Sequence, residues 1–221
     1  MSTLFVAAEP RECAGWIRHW QDCRPVALPV RWAVQGSFQG QTMIAVANGA
    51  GEVKAAAALS AVAEAHQAVS IGLCGALDPA LQIAEVIVAG EVRNKLGSWK
   101  TLDEGPALVT IDHIAATSKE KRTLRQTGAS IVDMEAAGVA RLAAERNIGF
   151  RCIRAVSDLA GETFVNDLNA ALQPDGTFST GRLVWNALAN PVPRFRELIR
   201  LGRRSAEASK NLGDYLASCK F

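Results

Sequence analysis

Four carboxylates stand where a carboxylate needs a reason. Asp133 and Glu135 open the apolar helical pattern VDMEAAGVARLAAER (132–146), and Asp158 closes the apolar strand pattern FRCIRAVSD (150–158). Glu12 follows the first apolar run in LFVAAEPREC (4–13). A carboxylate at such a place either caps a helix or holds a polar partner. Asp133 suits an N-cap, Glu135 suits the positive end of a helix dipole, and Ser157-Asp158 suits the cap of a following helix. Glu12 and Arg11 also suit a solvated first helical turn. The other reading sets these acids against a ligand, and no single residue decides between the two.

A further stretch, NGAGEVKA (48–55), has the setting of a dinucleotide fingerprint, between a strand and a helix. Its third glycine position holds Lys54, so the fingerprint fails and a tight turn between strand and helix remains.

These residues sit on alternating elements. Strand patterns run through LFVAA (4–8), TMIAVAN (42–48), AVSIGLCG (68–75), EVIVAGEV (85–92) and FRCIRAVS (150–157). Several are apolar on both faces, as strands covered by helices on each side are. Helical spacing marks 52–66 and 133–146, and the last forty residues read as all-helical. The alternation argues for an α/β sandwich. The 221 residues fit one domain, 1–221, with 162–221 as a mainly helical C-terminal part. LNAALQPDGTFSTG (168–181) turns at Pro174-Asp175-Gly176 and reads as a mobile loop.

The net charge of +2 makes no electrostatic case for nucleic acid. Five cysteines (13, 23, 74, 152 and 219) form no CxxC pair and have no histidine at zinc-finger spacing, as reduced cytoplasmic thiols would. The first apolar run is too short for a signal peptide, so a cytoplasmic protein is expected.

Three motifs in order, GLCGALDPALQIAEVIVAGEV (72–92), VDMEAAGVA (132–140) and IRAVSDLAG (153–161), resemble the nucleoside phosphorylase/nucleosidase superfamily. That group includes purine nucleoside phosphorylases and methylthioadenosine/S-adenosylhomocysteine nucleosidases. The resemblance covers roughly residues 3–162. It implies a nucleoside phosphorylase-like fold, a three-layer α/β/α sandwich with a mixed central sheet, and cleavage of a purine N-glycosidic bond.

Residue by residue, the resemblance implies that Asp158 protonates or hydrogen-bonds the purine, with Ser157 beside it. An apolar strand end can raise such an acid by desolvation. Glu135 matches the carboxylate that grips the ribose hydroxyls near a cationic sugar. Met134 matches a residue packed on the sugar, and Val132 one whose backbone lies beside the base; core filling is the other reading of Met134. Cys74 and Gly75 join the substrate-binding set. Glu12 matches the water-activating glutamate, with Glu9 an off-register rival, and Arg154 matches an arginine near that water.

Phosphorolytic relatives hold phosphate through R-x-G-S/T-x-G, where this chain has Ser70 and Leu73 in place of the arginine and the hydroxyl. Water is therefore the expected nucleophile, with phosphorolysis as the alternative; Arg11 under another alignment keeps that alternative open. Asp at 158 suits a 6-aminopurine, so adenine is the expected base. A non-catalytic nucleoside-binding protein is the third reading. The resemblance implies no metal and no cofactor, and a homo-oligomer, with a dimer favoured.

The tail PVPRFRELIRLGRRSAEASKNLGDYL (191–216) is similar to hopanoid-associated members, tied to removal of adenine from adenosylhopane. Arg194, Arg196, Arg200, Arg203 and Arg204 accompany Phe195, Leu198, Ile199 and Leu201. Such a helix either lies on an anionic membrane or packs on its own domain with solvated arginines. Trp16, Trp20, Trp32 and Trp185 either line an apolar pocket or fill the core.

Overall fold

The spine of the molecule is a pair of ten-residue strands, β5 (Gln67–Ala76) and β11 (Gly149–Asp158), buried along most of their length. The strand numbering follows chain order, with β1 (Ser2–Ala7), β2 (Gln21–Pro25), β3 (Trp32–Phe38), β4 (Gln41–Ala47), β6 (Val86–Ala89), β7 (Glu91–Asn94), β8 (Gly97–Lys100), β9 (Ala107–Thr110) and β10 (Ala129–Asp133). The computed structural model describes residues 2–188 and 191–221. Among them, eleven strands form one mixed sheet in the order β2-β3-β4-β1-β5-β10-β9-β7-β8, with β11 pairing with β5 and β6.

β5 and β11 run parallel from Gln67↔Gly149 to Cys74↔Val156, and then a bulge sets Asp158 opposite Gly75. A bulge re-aims the side chains beyond it, and here it falls on the Ser157-Asp158 pair. On its other edge, the end of β5 pairs antiparallel with β10, matching Gly75 with Val132. Residues from three motifs distant in sequence thus converge on one glycine.

Helices cover both faces, as the apolar strands predicted. α2 (Glu52–Ser60) and α4 (Ala136–Glu145) close one side over Leu4, Val6 and Ile131. α1 (Pro10–Ile17) and the 28-residue α6 (Pro191–Ser218) close the other. There Trp16 is wedged among Phe5, Trp20, Phe38 and Phe221, with ring centroids 4.5 to 5.8 Å away. Each such fully buried large apolar side chain contributes roughly 1.5–3 kcal/mol. Trp16 and Trp20 therefore fill the core, Trp32 packs at its edge, and Trp185 is 75% exposed.

Several boundaries differ from the sequence reading. The helix expected over 52–66 stops at Ser60, because the chain must turn and rise into β5, where His66 N–H donates to Ser2. The helix expected over 133–146 starts at Ala136; Asp133 ends β10, too short a strand to stand out. EVIVAGEV is two strands broken at Gly90. α3 (Ser118–Arg125), α5 (Thr180–Ala187) and a short 3-10 turn (Asn169–Ala171) complete the helices among the described residues.

The segment expected to be a mobile loop is held in place. Gly176 O accepts from Ala50 N–H at 2.8 Å, and Arg31 pairs with Asp175 at 3.1 Å. Among the described residues no helix is long and apolar enough to cross a membrane.

Candidate active site

A cavity of about 460 Å³ opens above the ends of β5, β10 and β11, within the range of small-molecule sites. Its floor is polar: Glu12, Glu135, Ser157 and Asp158 face it, with Asp133 and Met134 alongside. Its outer wall is apolar, built by Phe164, Leu168 and Phe178 of the segment after β11 and by Leu183, Leu198 and Leu201 of α5 and α6.

Glu12 is drawn into the wall by backbone donors. Its Oε2 accepts from Ala8 N–H and Glu9 N–H, each at 2.9 Å, and its Oε1 from Leu73 N–H at 3.3 Å. Burial pushes its carboxyl above the usual range, against the backbone bond at Glu9 and the nearby positive charge of Arg154. This close fit depends on Gly72, where a Cβ would lie 3.1 Å from Glu12 Oε1. Glu9, the off-register rival, instead pairs with Arg11 at 2.7 Å, with Arg11 62% exposed. Both line the cavity rim.

Asp158 ends β11 facing the cavity. Ser157 Oγ donates to its Oδ2 at 2.8 Å and approaches Cys74 O at 3.1 Å. On its far side the ammonium of Lys121, from α3, pairs with Oδ1. Burial raises the Asp158 carboxyl, and Lys121 opposes the rise. A Cβ at Gly75 would lie 3.0 Å from Asp158 Oδ1 and 3.1 Å from Val132 Cγ1, so only glycine leaves both in place.

Glu135 precedes α4, accepting from Gly51 N–H at 3.0 Å. That donor belongs to the NGAG turn, whose Gly49 and Gly51 take positive φ (+94° and +110°). Burial, reinforced by the charge of Asp133, pushes Glu135 up to about 8.

Arg154 is placed differently from the expectation. It does not line the cavity; it lies beneath the floor, 1% exposed, with Nε and Nη2 donating to Asp133 Oδ2 at 3.1 and 2.6 Å. Its Nη2 also donates to Ser70 Oγ at 2.8 Å. Asp133 in turn accepts from Ala136 N–H at 2.9 Å and from Thr110 Oγ1 at 2.6 Å. Asp133 thus holds the start of α4 and Arg154 together, as the capping reading allowed, while Ser70 is committed to Arg154 rather than to the cavity.

Of the sequence-derived set, Glu12, Cys74, Gly75, Val132, Met134, Glu135, Ser157 and Asp158 all line one cavity. Sequence reasoning missed Lys121, which carries no motif signal, and His113, which bridges Asp112 (2.7 Å) and Glu120 (2.6 Å) at the rim. Among the described residues no cluster of His, Cys, Asp and Glu could hold a metal ion.

Such an arrangement can cleave a bond whose two halves develop opposite charge. Raised carboxyls can hold a proton for a leaving group, and buried carboxylates stabilise a cation in a water-poor site.

The model of the phosphorylase superfamily matches residues 93–174. No curated protein sequence matches the chain. Among solved structures, 5′-methylthioadenosine/S-adenosylhomocysteine nucleosidase from S. pneumoniae, bound to the transition-state inhibitor MT-ImmA, aligns with a TM-score of 0.68 at 18% identity, covering 96% of this chain and 99% of that one. Futalosine hydrolase of Helicobacter pylori aligns at 0.76 and 13% identity, covering 98% and 95%. The Campylobacter jejuni 5′-methylthioadenosine/S-adenosylhomocysteine nucleosidase aligns at 0.74 and 16%, covering 98% and 97%. At such identities the structures speak for the fold, which is nucleoside phosphorylase-like over nearly the whole chain. The family model matches the centre of the chain, and these structures match its fold from end to end.

Proposed function

We propose that the protein hydrolyses the N-glycosidic bond of an adenine nucleoside. The observation that carries this reading is the placement of Glu12 and Asp158 on one cavity floor, with Glu135 on the same floor. Asp158 donates a proton to the departing purine, a step worth roughly 10²–10⁴ in rate. Glu135 grips the ribose hydroxyls and faces the cationic sugar, with Met134 packed on the ring. Glu12 takes a proton from the attacking water. Arg154 serves from below, holding Asp133 and β11 in register and lowering the penalty of a second anion at Glu12.

Water is favoured over phosphate because a phosphate in this cavity would meet the Glu12 carboxylate and the side chain of Leu73. Ser70 is already bonded to Arg154. The apolar wall of Leu183, Leu198 and Leu201 suits a nucleoside with an apolar 5′ substituent, methylthioadenosine or a lipid-linked adenosine of the adenosylhopane kind. For the lipid-linked class, exposed Val184, Trp185, Leu188, Val192 and Ile199, beside exposed Arg196 and Arg203, offer a contact with an anionic membrane. Arg200 and Arg204 contribute less to it, since both pair with Glu162.

The test incubates the protein with adenosine, methylthioadenosine and a lipid-linked adenosine, with and without phosphate, and follows free base and sugar. Adenine and unphosphorylated sugar are expected in both conditions. A strict phosphate requirement, with sugar 1-phosphate as product, would replace hydrolysis by phosphorolysis. Sedimentation with anionic and neutral liposomes tests the membrane contact; equal pelleting with both rules it out.

A further inference from the structure

The outer wall of the cavity is assembled from pieces far apart in sequence. Phe164 and Leu168 come from the segment after β11, and Leu198 and Leu201 from α6. Residues 159–168 form neither helix nor strand, so their backbone donors have no ladder to join. Phe164 N–H finds Ala116 O at 2.9 Å. The next two donors turn instead to one side chain.

That side chain is Glu197 of α6, 5% exposed, and a glutamate is rarely so buried unless it is paired. Its Oε1 accepts from Val165 N–H at 2.9 Å. Its Oε2 accepts from Val165 N–H at 3.1 Å, Asn166 N–H at 2.8 Å and Asn166 Nδ2 at 2.7 Å. Asn166 is itself buried, and its Nδ2 also donates to Arg194 O at 3.1 Å. Further along α6, Arg204 pairs with Glu162 at 2.7 Å, so the helix grips the segment on both sides of Phe164.

Glu197 does not line the cavity. Leu198 is its neighbour and Leu201 lies one helical turn on, so the residue that fixes one half of the wall rises from the helix that supplies the other. The floor is held by other means: Glu12 by Ala8, Glu9 and Leu73, Glu135 by Gly51, and Asp158 by Ser157 and Lys121.

Resting on the nucleosidase reading, we infer that Glu197 is the positioning residue that sets this wall against the 5′ substituent and so fixes a preference for nucleosides whose 5′ group is apolar. Without its carboxylate, the donors of Val165 and Asn166 must turn to water, because leaving them buried and unpaired is costly. Phe164 and Leu168 then draw away from Leu198 and Leu201, and the 5′ group loses its apolar contacts. The base and ribose keep theirs on the floor.

The test compares methylthioadenosine with adenosine, whose 5′ hydroxyl makes no apolar contact with the wall. In E197A the ratio of kcat/KM for methylthioadenosine over that for adenosine should fall about tenfold, chiefly through a higher KM for methylthioadenosine, as when one small group loses its apolar pocket. E197Q can set its amide oxygen in the Oε2 place and keep both bonds from Asn166, while its NH2 cannot accept from Val165. Its ratio should lie between those of E197A and the wild type. A ratio in E197A within about twofold of the wild type would overturn the assignment. Equal losses on both substrates would overturn it in favour of a structural role. If E197A does not fold, E197Q decides, and a ratio unchanged from the wild type overturns the assignment. A wild-type protein inert toward both nucleosides, or indifferent between them, would bring down the reading of the site itself, and this assignment with it.

Discussion

Arg154 and Asp133 form a buried ion pair in which two guanidinium nitrogens converge on a single carboxylate oxygen, at 3.1 and 2.6 Å. Neither side chain is more than 1% exposed. The pair joins β11 to β10 and to the start of α4. R154M leaves Asp133 as an uncompensated buried charge and should lower stability by about 3–5 kcal/mol. Urea denaturation measures this. A loss below about 1 kcal/mol would mean that Thr110 and the α4 backbone satisfy Asp133 unaided.

Glu12 should be separable from binding. E12Q keeps the shape and, with its amide oxygen in the Oε2 place, still meets the donors at Ala8 and Glu9, but its NH2 cannot accept from Leu73 N–H and it cannot take a proton from water. Its kcat should fall about 10²–10⁴-fold, with adenine affinity unchanged. Turnover close to wild type would move the base to Glu9, its neighbour on the rim.

Gly75 offers a test of geometry without touching a functional group. The methyl of G75A would meet Asp158 Oδ1 at 3.0 Å and Val132 Cγ1 at 3.1 Å, so both must shift by a few tenths of an ångström. Small misplacements of a reacting group cost on the order of tenfold or more in rate. We expect that loss in kcat with little change in melting temperature. Full activity would show that Asp158 tolerates displacement.

Stability should fall with rising pH across the neutral range, and Glu135 is the main reason. Its folded value of about 8 lies above the ordinary 4.5 because it is buried beside Asp133. Between those values the native protein keeps a proton that the unfolded chain has released, so native stability drops as pH rises and levels off beyond about 8. Glu12 and Asp158, also raised, act in the same direction. E135Q should flatten the decline of melting temperature between about pH 5 and 8. A profile parallel to wild type would assign the decline to other groups.

What was legible in the sequence follows from how each residue is held. Asp133, Glu135 and Asp158 were visible because a charge at the end of an apolar run breaks a pattern. The sandwich was visible because β5 and β11 are apolar on both faces. β9 and β10 were not, since each is only four or five residues long and gains its apolar neighbours from the sheet rather than from its own alternation. Lys121 was hidden for the opposite reason: it lies in a run so charged that one inward-turned lysine leaves no mark. Arg154 was found as an arginine near the expected water, but its burial beneath the floor against Asp133 was not legible, because a motif carries no depth. The apolar side of α6 also reads differently in place, with Leu198 and Leu201 turned to the cavity instead of a membrane.

The strand β5 has a metrical consequence. Gly72 admits Glu12, Leu73 N–H holds it, and three positions on Gly75 admits Asp158. In an extended strand three residues span about 10 Å, and one residue about 3.3 Å. The openings for the two carboxyls are therefore graduated by a backbone, as on a ruler. A one-residue insertion would add a full graduation and turn the following side chains to the opposite face. The leucines of the outer wall can be exchanged to reshape the cavity, while the spacing of Gly72 and Gly75 stays as β5 reads it.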